Sequence, residues 1–231
     1  MVIAIIAILA GLLLSALAGA KEKGRCAKCI SNLRQVSLGF RTFALDAEGY
    51  YPWHVLPSDG GTYGSSAGTI WRNYRAASNE LITPKILVCP SDPATKATVI
   101  DWSAGTNGLA HSANRELAVS YFIGLDSYEQ LAVTLIAGDR NIIGGKSSQC
   151  ASVRADPGVA AVLLRPTNNA IAWSGGIHGS QGNIAVSDGS VQKTRRAGLQ
   201  QMIAEAYTAL TARYITTSTG SRPDNHIQPP R

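Results

Sequence analysis

The sequence lacks the residue patterns of the common nucleotide-binding and metal sites. Its 231 residues contain no P-loop and no dinucleotide-binding glycine fingerprint. The four histidines, His54, His111, His178 and His226, show no metal-ligand spacing. The sequence therefore predicts a protein that is not an enzyme and that has no resident cofactor.

The sequence is also poor in aromatic and charged residues. Aromatic residues make up 6% and charged residues 16%, against 45% hydrophobic residues, which predicts a globular chain and not a disordered one. The net charge of +6 lies at the two ends, since residues 1–49 carry +3, residues 190–231 carry +4 and residues 50–189 carry −1. A nucleic-acid groove requires a basic patch with interleaved aromatics on the folded domain, so we expect no nucleic-acid partner.

The first 20 residues contain no charge at all. As a helix they would rise about 30 Å, which is the hydrocarbon thickness of a bilayer. A transmembrane anchor fits this length. A cleaved secretory signal fits the small residues Ala18-Gly19-Ala20 but lacks a basic region before the apolar run. A buried core helix is the third interpretation, but a helix that is apolar on all sides and is followed by Lys21-Glu22-Lys23 is unusual in a core. We therefore favour the anchor.

The same helix is predicted to continue beyond the apolar run. From Cys26 onward, apolar residues recur at three- and four-residue steps, and Gly49 followed by Pro52 predicts the C-terminal end. The predicted apolar stripe consists of Ile30, Leu33, Val36, Phe40 and Phe43. Residues 1–49 thus form one helix with two characters: residues 1–20 are apolar on all sides, and residues 21–49 are amphipathic. Such a helix crosses two environments.

The remaining chain predicts an α+β head over residues 50–215. Residues 50–118 are rich in turn residues, with a short helix and strand over Asn79–Leu87, and residues 197–214 show a helical stripe. Ser187-Asp188-Gly189-Ser190 predicts a tight hairpin with a two-residue Asp-Gly turn. Residues 216–231 are predicted to be a mobile polar tail. The predicted strands are Val119–Leu125, Leu131–Ala137, Ala170–Trp173, Asn183–Val186 and Val191–Thr194.

Several segments together resemble one known family. His178 is followed by nine residues and then Asp188-Gly189, the spacing of the histidine-nine-residues-aspartate-glycine motif of prepilin-associated proteins. With it, the chain resembles type IV pilin-like proteins, and in particular pseudopilins of the type II secretion class in planctomycete- and verrucomicrobium-type bacteria. The other segments that carry the resemblance are the apolar run from Val2 to Leu14, Ala20-Lys21-Glu22-Lys23, Cys29, Asn32-Leu33-Arg34-Gln35, Gly49-Tyr50-Tyr51-Pro52 and Cys89-Pro90-Ser91-Asp92.

The resemblance implies a fold and a role. The fold is a long N-terminal helix packed on an antiparallel sheet head, and the role is a structural subunit whose helices form a filament core. It implies self-assembly through that helix, contact with secretion or pilus assembly machinery, and a single-pass inner-membrane anchor with the head on the periplasmic or extracellular side. Basic residues after the apolar run would by themselves favour a cytoplasmic head, and we give the resemblance more weight. The alternative function is a non-polymerising, membrane-anchored envelope protein that binds polysaccharide or protein; clustered exposed tryptophans would favour it.

The family's cleavage-site glycine and the glutamate that follows it have no counterpart in this sequence. In the family, a short basic leader and about seven mature residues, about 10 Å of helix, precede the part matched by Val2-Ile3-Ala4-Ile5. We therefore expect that Met1 is not the natural start. Genomic DNA upstream of the first codon tests this expectation, and an in-frame stop with no leader before it would contradict it.

Three aspartate and histidine positions are candidates for site chemistry. His178 and Asp188 suggest an acid–base pair, but an extended strand between them would place them about 16 Å apart along the chain. We prefer a loop histidine bonded to backbone and a turn aspartate. Asp139 and Asp188 both end predicted strands and are candidate calcium ligands if they converge, although turn chemistry explains both equally well.

The four cysteines are Cys26, Cys29, Cys89 and Cys150. Cys26 and Cys29 form a Cys-Xaa-Xaa-Cys pair on the predicted helix, without the second pair of a zinc site and without the context of a thioredoxin-like motif. In an oxidising compartment one or two disulfides among the four are expected. Buried free thiols are the alternative.

Overall fold

A single helix, α1 (Val2–Asp46), opens the chain in the computed structural model, which describes residues 2–64, 69–149, 160–215 and 225–230. The first proline of the sequence is Pro52, so nothing interrupts the helix before that point. The helix ends where Gly49, at φ +83°, donates its N–H to the carbonyl of Ala44 over 2.7 Å. The prediction of one uninterrupted helix of more than 40 residues is confirmed, since α1 has 45.

The two halves of α1 differ in what surrounds them. In the second half, the buried stripe is centred on Cys29, Leu33, Val36, Phe40 and Ala44. The predicted period is therefore correct, but Ile30 and Phe43 lie half-buried at its edge. In the first half, the described large apolar side chains are more than half exposed: Ile3, Ile6, Leu9, Leu13, Leu14 and Leu17.

No helix in the described part of the chain has both the length and the apolarity that a bilayer crossing requires.

In the described part of the chain nine strands follow α1, and seven of them form one antiparallel sheet in the order β4-β5-β9-β1-β2-β7-β8. β3 and β6 pair separately. The strands are β1 (Tyr121–Gly124), β2 (Leu135–Asp139), β3 (Ile142–Ile143), β4 (Lys146–Gln149), β5 (Ala160–Leu164), β6 (Ala172–Trp173), β7 (Gly182–Val186), β8 (Val191–Thr194) and β9 (Asn225–Gln228).

Helices cover both faces of the sheet. Side chains of a strand alternate between faces, and in β1 Ile123 joins the core built with α1, whereas Phe122 joins a second core. The second core contains the last helix, α4 (Arg196–Ile215). Both faces of the sheet are therefore covered by apolar cores. The prediction of an α+β fold with a long N-terminal helix on an antiparallel sheet is confirmed. The predicted stripe of α4 is also confirmed, since Leu199, Met202, Ile203, Ala206 and Leu210 are all buried.

The segment between α1 and β1 contains short helices and turns. The helices are α2 (Ile70–Ala76) and α3 (Ser78–Leu81), and 3-10 turns span Pro52–His54, Pro57–Asp59, Pro84–Leu87 and Arg115–Ala118. The strand predicted within Asn79–Leu87 is wrong, because Pro84 begins a 3-10 turn capped by Thr83.

Four of the five predicted strands match β1, β6, β7 and β8. The remaining predicted strand, Leu131–Ala137, begins too early. Thr134 donates its backbone N–H to the Leu131 carbonyl, so residues 131–134 form a turn and β2 begins at Leu135. Strands β3, β4, β5 and β9 were not predicted.

The prediction of a polar tail over residues 216–231 is wrong for Asn225–Gln228, which form β9 between β5 and β1. These polar side chains are buried because each has a partner. Asn225 Nδ2 donates to the Ile203 carbonyl over 2.9 Å, and His226 Nδ1 lies 2.9 Å from Asp126 Oδ2. Residues 216–224 of the predicted tail lie outside the described residues.

The hairpin between β7 and β8 differs from the predicted two-residue turn. Val186 and Ser190 are joined by a 3.1 Å N–H to carbonyl bond, so the loop consists of Ser187, Asp188 and Gly189. Gly189 has φ +92°, as predicted, whereas Asp188 is not among the residues with positive φ. Glycine is therefore required at the last loop position and not at both central ones.

The placement of β9 can be tested by truncating one buried isoleucine. Ile227 is 2% exposed in the core under α4, so Ile227→Ala should lower the free energy of unfolding by about 2–4 kcal/mol. Ile100 is 52% exposed, and Ile100→Ala should change it by about 0.5 kcal/mol or less. Urea unfolding of both variants measures the difference. Equal, small effects would mean that the C-terminal strand is not part of the sheet.

Candidate functional site around His178

The imidazole of His178 lies at the junction between α1 and the head. Its side chain is fully buried, and His178, Gly179 and Ser180 all have positive φ, which turns the loop before β7 inward. Nδ1 lies 3.1 Å from Glu22 Oε1 on α1, and Nε2 lies 3.3 Å from Cys89 Sγ. The predicted loop histidine bonded to backbone is therefore wrong: these close partners are side chains, and one belongs to the N-terminal helix.

Glu22 is the carboxylate on one side of the ring. It also accepts a 2.9 Å hydrogen bond from Ser91 Oγ and lies 3.9 Å from the Arg25 guanidinium. Partial burial raises the pKa of Glu22, but the hydrogen bonds from His178 and Ser91 and the nearby positive charges outweigh it and hold the pKa below its usual value. Glu22 is therefore a carboxylate at neutral pH. It is also the first residue of α1 with a polar contact to the head among the described side chains.

Asp139 is the carboxylate on the other side of the ring. It is fully buried at the end of β2, with Oδ2 3.8 Å from His178 Nε2. The backbone N–H and the Nδ2 of Asn183 donate to the same oxygen over 2.7 and 2.9 Å, and Oδ1 has no hydrogen-bond partner among the described residues. Burial raises the pKa of Asp139 to about 6, against the hydrogen bonds from Asn183 and the charge of His178, which lower it.

A disulfide between Cys29 and Cys89 completes the cluster, which we call the junction cluster: Glu22, Cys29, Cys89, Asp139 and His178. It joins the middle of α1 to the segment after the Pro84–Leu87 turn, across 60 residues of sequence. Cys26 is a buried free thiol, 3.9 Å from Asn183 Oδ1. Of the expected disulfides, one is therefore present among the described residues, and Cys150 lies outside them.

The two candidate pairings of Asp188, with His178 as an acid–base pair and with Asp139 as calcium ligands, do not form. Asp188 lies in the hairpin loop after β7, where its Oδ1 accepts the N–H of Ser190 and its carbonyl accepts a hydrogen bond from Arg41. Asp139 lies beside Asn183, at the opposite end of β7. The two candidate calcium ligands therefore do not converge, and Asp188 is a turn aspartate, as the turn chemistry predicts.

Asp92, in the Cys89-Pro90-Ser91-Asp92 segment, holds that segment in place. Its carboxylate accepts hydrogen bonds from the Ala94 N–H and the Thr95 hydroxyl, and it forms a 3.1 Å ion pair with Arg140. Arg140 follows Asp139 directly, so the turn that carries Cys89 is fixed to the end of β2.

Sequence reasoning missed Glu22, Asn183 and the particular pairing of Cys29 with Cys89. The available signal for Glu22 was that it is the first carboxylate after the uncharged run. Nothing in the sequence pairs residues of α1 with a loop more than 150 positions away, because that contact depends on how the sheet is stacked under the helix.

Three of the four tryptophans are buried: Trp53, Trp71 and Trp173. Trp102 is half-buried, and its indole N–H donates to the Ile82 carbonyl over 3.2 Å. The clustered exposed aromatics that would favour a polysaccharide-binding face are therefore not formed by these residues.

Comparison with known proteins gives no relative for this chain: no family model, no curated protein and no solved structure matches it.

The cross-link can be tested by matched cysteine substitutions in the unreduced chain. A disulfide that closes a 60-residue loop stabilises by about 4 kcal/mol in the chain-entropy treatment, so Cys89→Ala should cost about 2–5 kcal/mol. Cys26→Ala, at a buried free thiol, should cost about 1 kcal/mol. Urea unfolding measures both, and equal losses would contradict the assigned pairing.

Proposed function

We propose that the chain is a pilin-like structural subunit that assembles through the first half of α1 into a secretion pseudopilus or a surface filament. The observation that carries the proposal is the change of environment along one unbroken helix. Leu33, Val36 and Phe40 are fully buried against the head, whereas Leu9, Leu13 and Leu17 are 55–69% exposed on the same helix.

Exposed leucine and isoleucine side chains in this number require a partner. Each fully buried side chain of this kind contributes about 1.5–3 kcal/mol relative to exposure to water, and the free chain leaves the described ones uncovered. A Cβ added to Gly11 or Gly19 would meet nothing within 4 Å, so the head does not fold back over this half. Copies of the same helix are the partner that an all-round apolar surface fits, because no single face is preferred.

The junction cluster supports the same role. Glu22 marks the point where α1 leaves the head, and the disulfide lies two helical turns further on at Cys29. Together they fix the angle at which the projecting half leaves the head. A defined angle is what a repeating filament requires, because an error at each subunit would accumulate along the assembly.

We further propose that, before assembly, residues 1–20 anchor the chain in the bacterial inner membrane, with the head on the periplasmic or extracellular side. The absence of charge in residues 1–20 supports the anchor. The Cys29–Cys89 disulfide supports an oxidising compartment for the head.

Assembly can be tested with two leucine substitutions of similar exposure in the full chain. Leu13 is 69% exposed in the projecting half, and Leu56 is 51% exposed on the head. Leu13→Asp should abolish filaments after detergent removal, because a carboxylate inside an apolar helix core costs several kcal/mol. Leu56→Asp should assemble like the wild type. Electron microscopy and sedimentation provide the measurement.

Two outcomes would contradict the proposal. One is a Leu13→Asp chain that forms the same filaments as the wild type. The other is a wild-type chain that stays monomeric without detergent, or that binds lipid vesicles only as a monomer, which would favour the non-polymerising anchored protein.

A further inference from the structure

Three of the buried side chains in the junction cluster bring metal-ligand atoms together. The sulfurs of Cys29 and Cys89 and Nε2 of His178 lie within 4.8 Å of one another, and all three residues are buried. Asp139 adds a buried carboxylate 3.8 Å from Nε2. These four residues come from α1, the loop after the Pro84–Leu87 turn, the loop before β7 and the end of β2.

We propose that the chain with its Cys29–Cys89 bond reduced binds Zn²⁺ through Cys29 Sγ, Cys89 Sγ, His178 Nε2 and a carboxylate oxygen of Asp139. Two thiolates, one imidazole and one carboxylate are all ligand types that zinc accepts in tetrahedral geometry. The inference does not depend on filament assembly, because it concerns only side chains within one head and its own helix.

Two of the distances between the ligand atoms already match one tetrahedral ion. Zinc bonds of 2.0–2.3 Å place neighbouring ligand atoms about 3.3–3.8 Å apart. Cys89 Sγ lies 3.3 Å from Nε2, and Nε2 lies 3.8 Å from Asp139 Oδ2. The two sulfurs have to separate, from the bonded distance of about 2 Å to about 3.8 Å.

The surrounding hydrogen bonds are those that orient zinc ligands. A histidine that binds zinc through one nitrogen usually donates its other N–H to a carboxylate. Glu22 Oε1, 3.1 Å from Nδ1, is placed to accept that N–H, which leaves Nε2 without a proton and 3.3 Å from Cys89 Sγ. Asn183 holds Asp139 Oδ2 through two hydrogen bonds, while Oδ1 has no partner among the described residues.

The disulfide and the metal exclude each other. A phosphine or dithiol reductant supplies two electrons, and two protons complete the two thiols. Zinc binding then releases these two protons and leaves two thiolates on the ion. The cluster thus holds α1 to the head in either state, by a covalent bond in the oxidised chain and by the metal in the reduced chain.

Zinc retention by the full chain in detergent tests the proposal. The chain is reduced with a water-soluble phosphine under argon, mixed with an equimolar amount of ZnCl₂, passed over a desalting column and analysed for zinc by plasma mass spectrometry. The reduced wild type should retain an equimolar amount, and the unreduced wild type should retain almost none. Co²⁺ in place of Zn²⁺ should show the visible bands of a tetrahedral, thiolate-bound ion.

Matched variants distinguish zinc binding at this cluster from zinc binding by any cysteine of the chain. Cys26→Ser removes a cysteine outside the cluster and should keep full retention, whereas Cys89→Ser and His178→Ala should lose it. Glu22→Gln, which acts only through His178, should weaken zinc affinity about 10–100-fold without abolishing the cobalt spectrum. Circular dichroism of each variant checks that it is folded.

The proposal is overturned if the reduced, folded wild type retains no zinc. It is equally overturned if His178→Ala retains as much zinc as the wild type, or if only Cys26→Ser loses it.

Discussion

The structure depends on the burial of one stripe of α1 against the sheet. Leu33, Val36 and Phe40 have no exposed surface, and the sheet face beneath them is built around Ile123, Ala137 and Ala185. Because an α-helix is rigid over several turns, burial of this stripe determines where the preceding 20 residues project. The apolar first half is therefore presented outward as a consequence of how the second half packs, and the proposed assembly role follows from that geometry.

The junction cluster adds specific contacts to this non-directional burial. The Cys29–Cys89 bond fixes the helix covalently, and His178 lies between Glu22 of α1 and Asp139 of β2. An apolar stripe alone tolerates small rotations and shifts, because apolar contacts are not directional, whereas these contacts require particular atoms to meet. The same atoms, with the disulfide opened, form the set of ligands that we propose for zinc.

Sequence patterns predicted the elements whose signal is local. The length of α1, its end at Gly49, the stripe of α4 and the strands β7 and β8 follow from periodicity and turn residues. Strand β9 could not be predicted, because Asn225, His226 and Gln228 look like a solvated tail until partners such as Asp126 are known. The junction cluster was only partly predictable for the same reason. His178, Asp139 and the cysteines were singled out as candidates, but Glu22 meets His178 only through the stacking of α1 on the sheet.

The central claim is that α1 is one helix in two environments, and amide hydrogen exchange tests it along the whole helix. In the monomer, diluted below the concentration at which filaments form, amides of residues 26–44 should exchange slowly and those of residues 3–17 rapidly, because only the first group is covered by the head. In the assembled state both groups should exchange slowly. Equal protection of the two groups in the monomer, or rapid exchange of residues 3–17 in the assembly, would contradict this account.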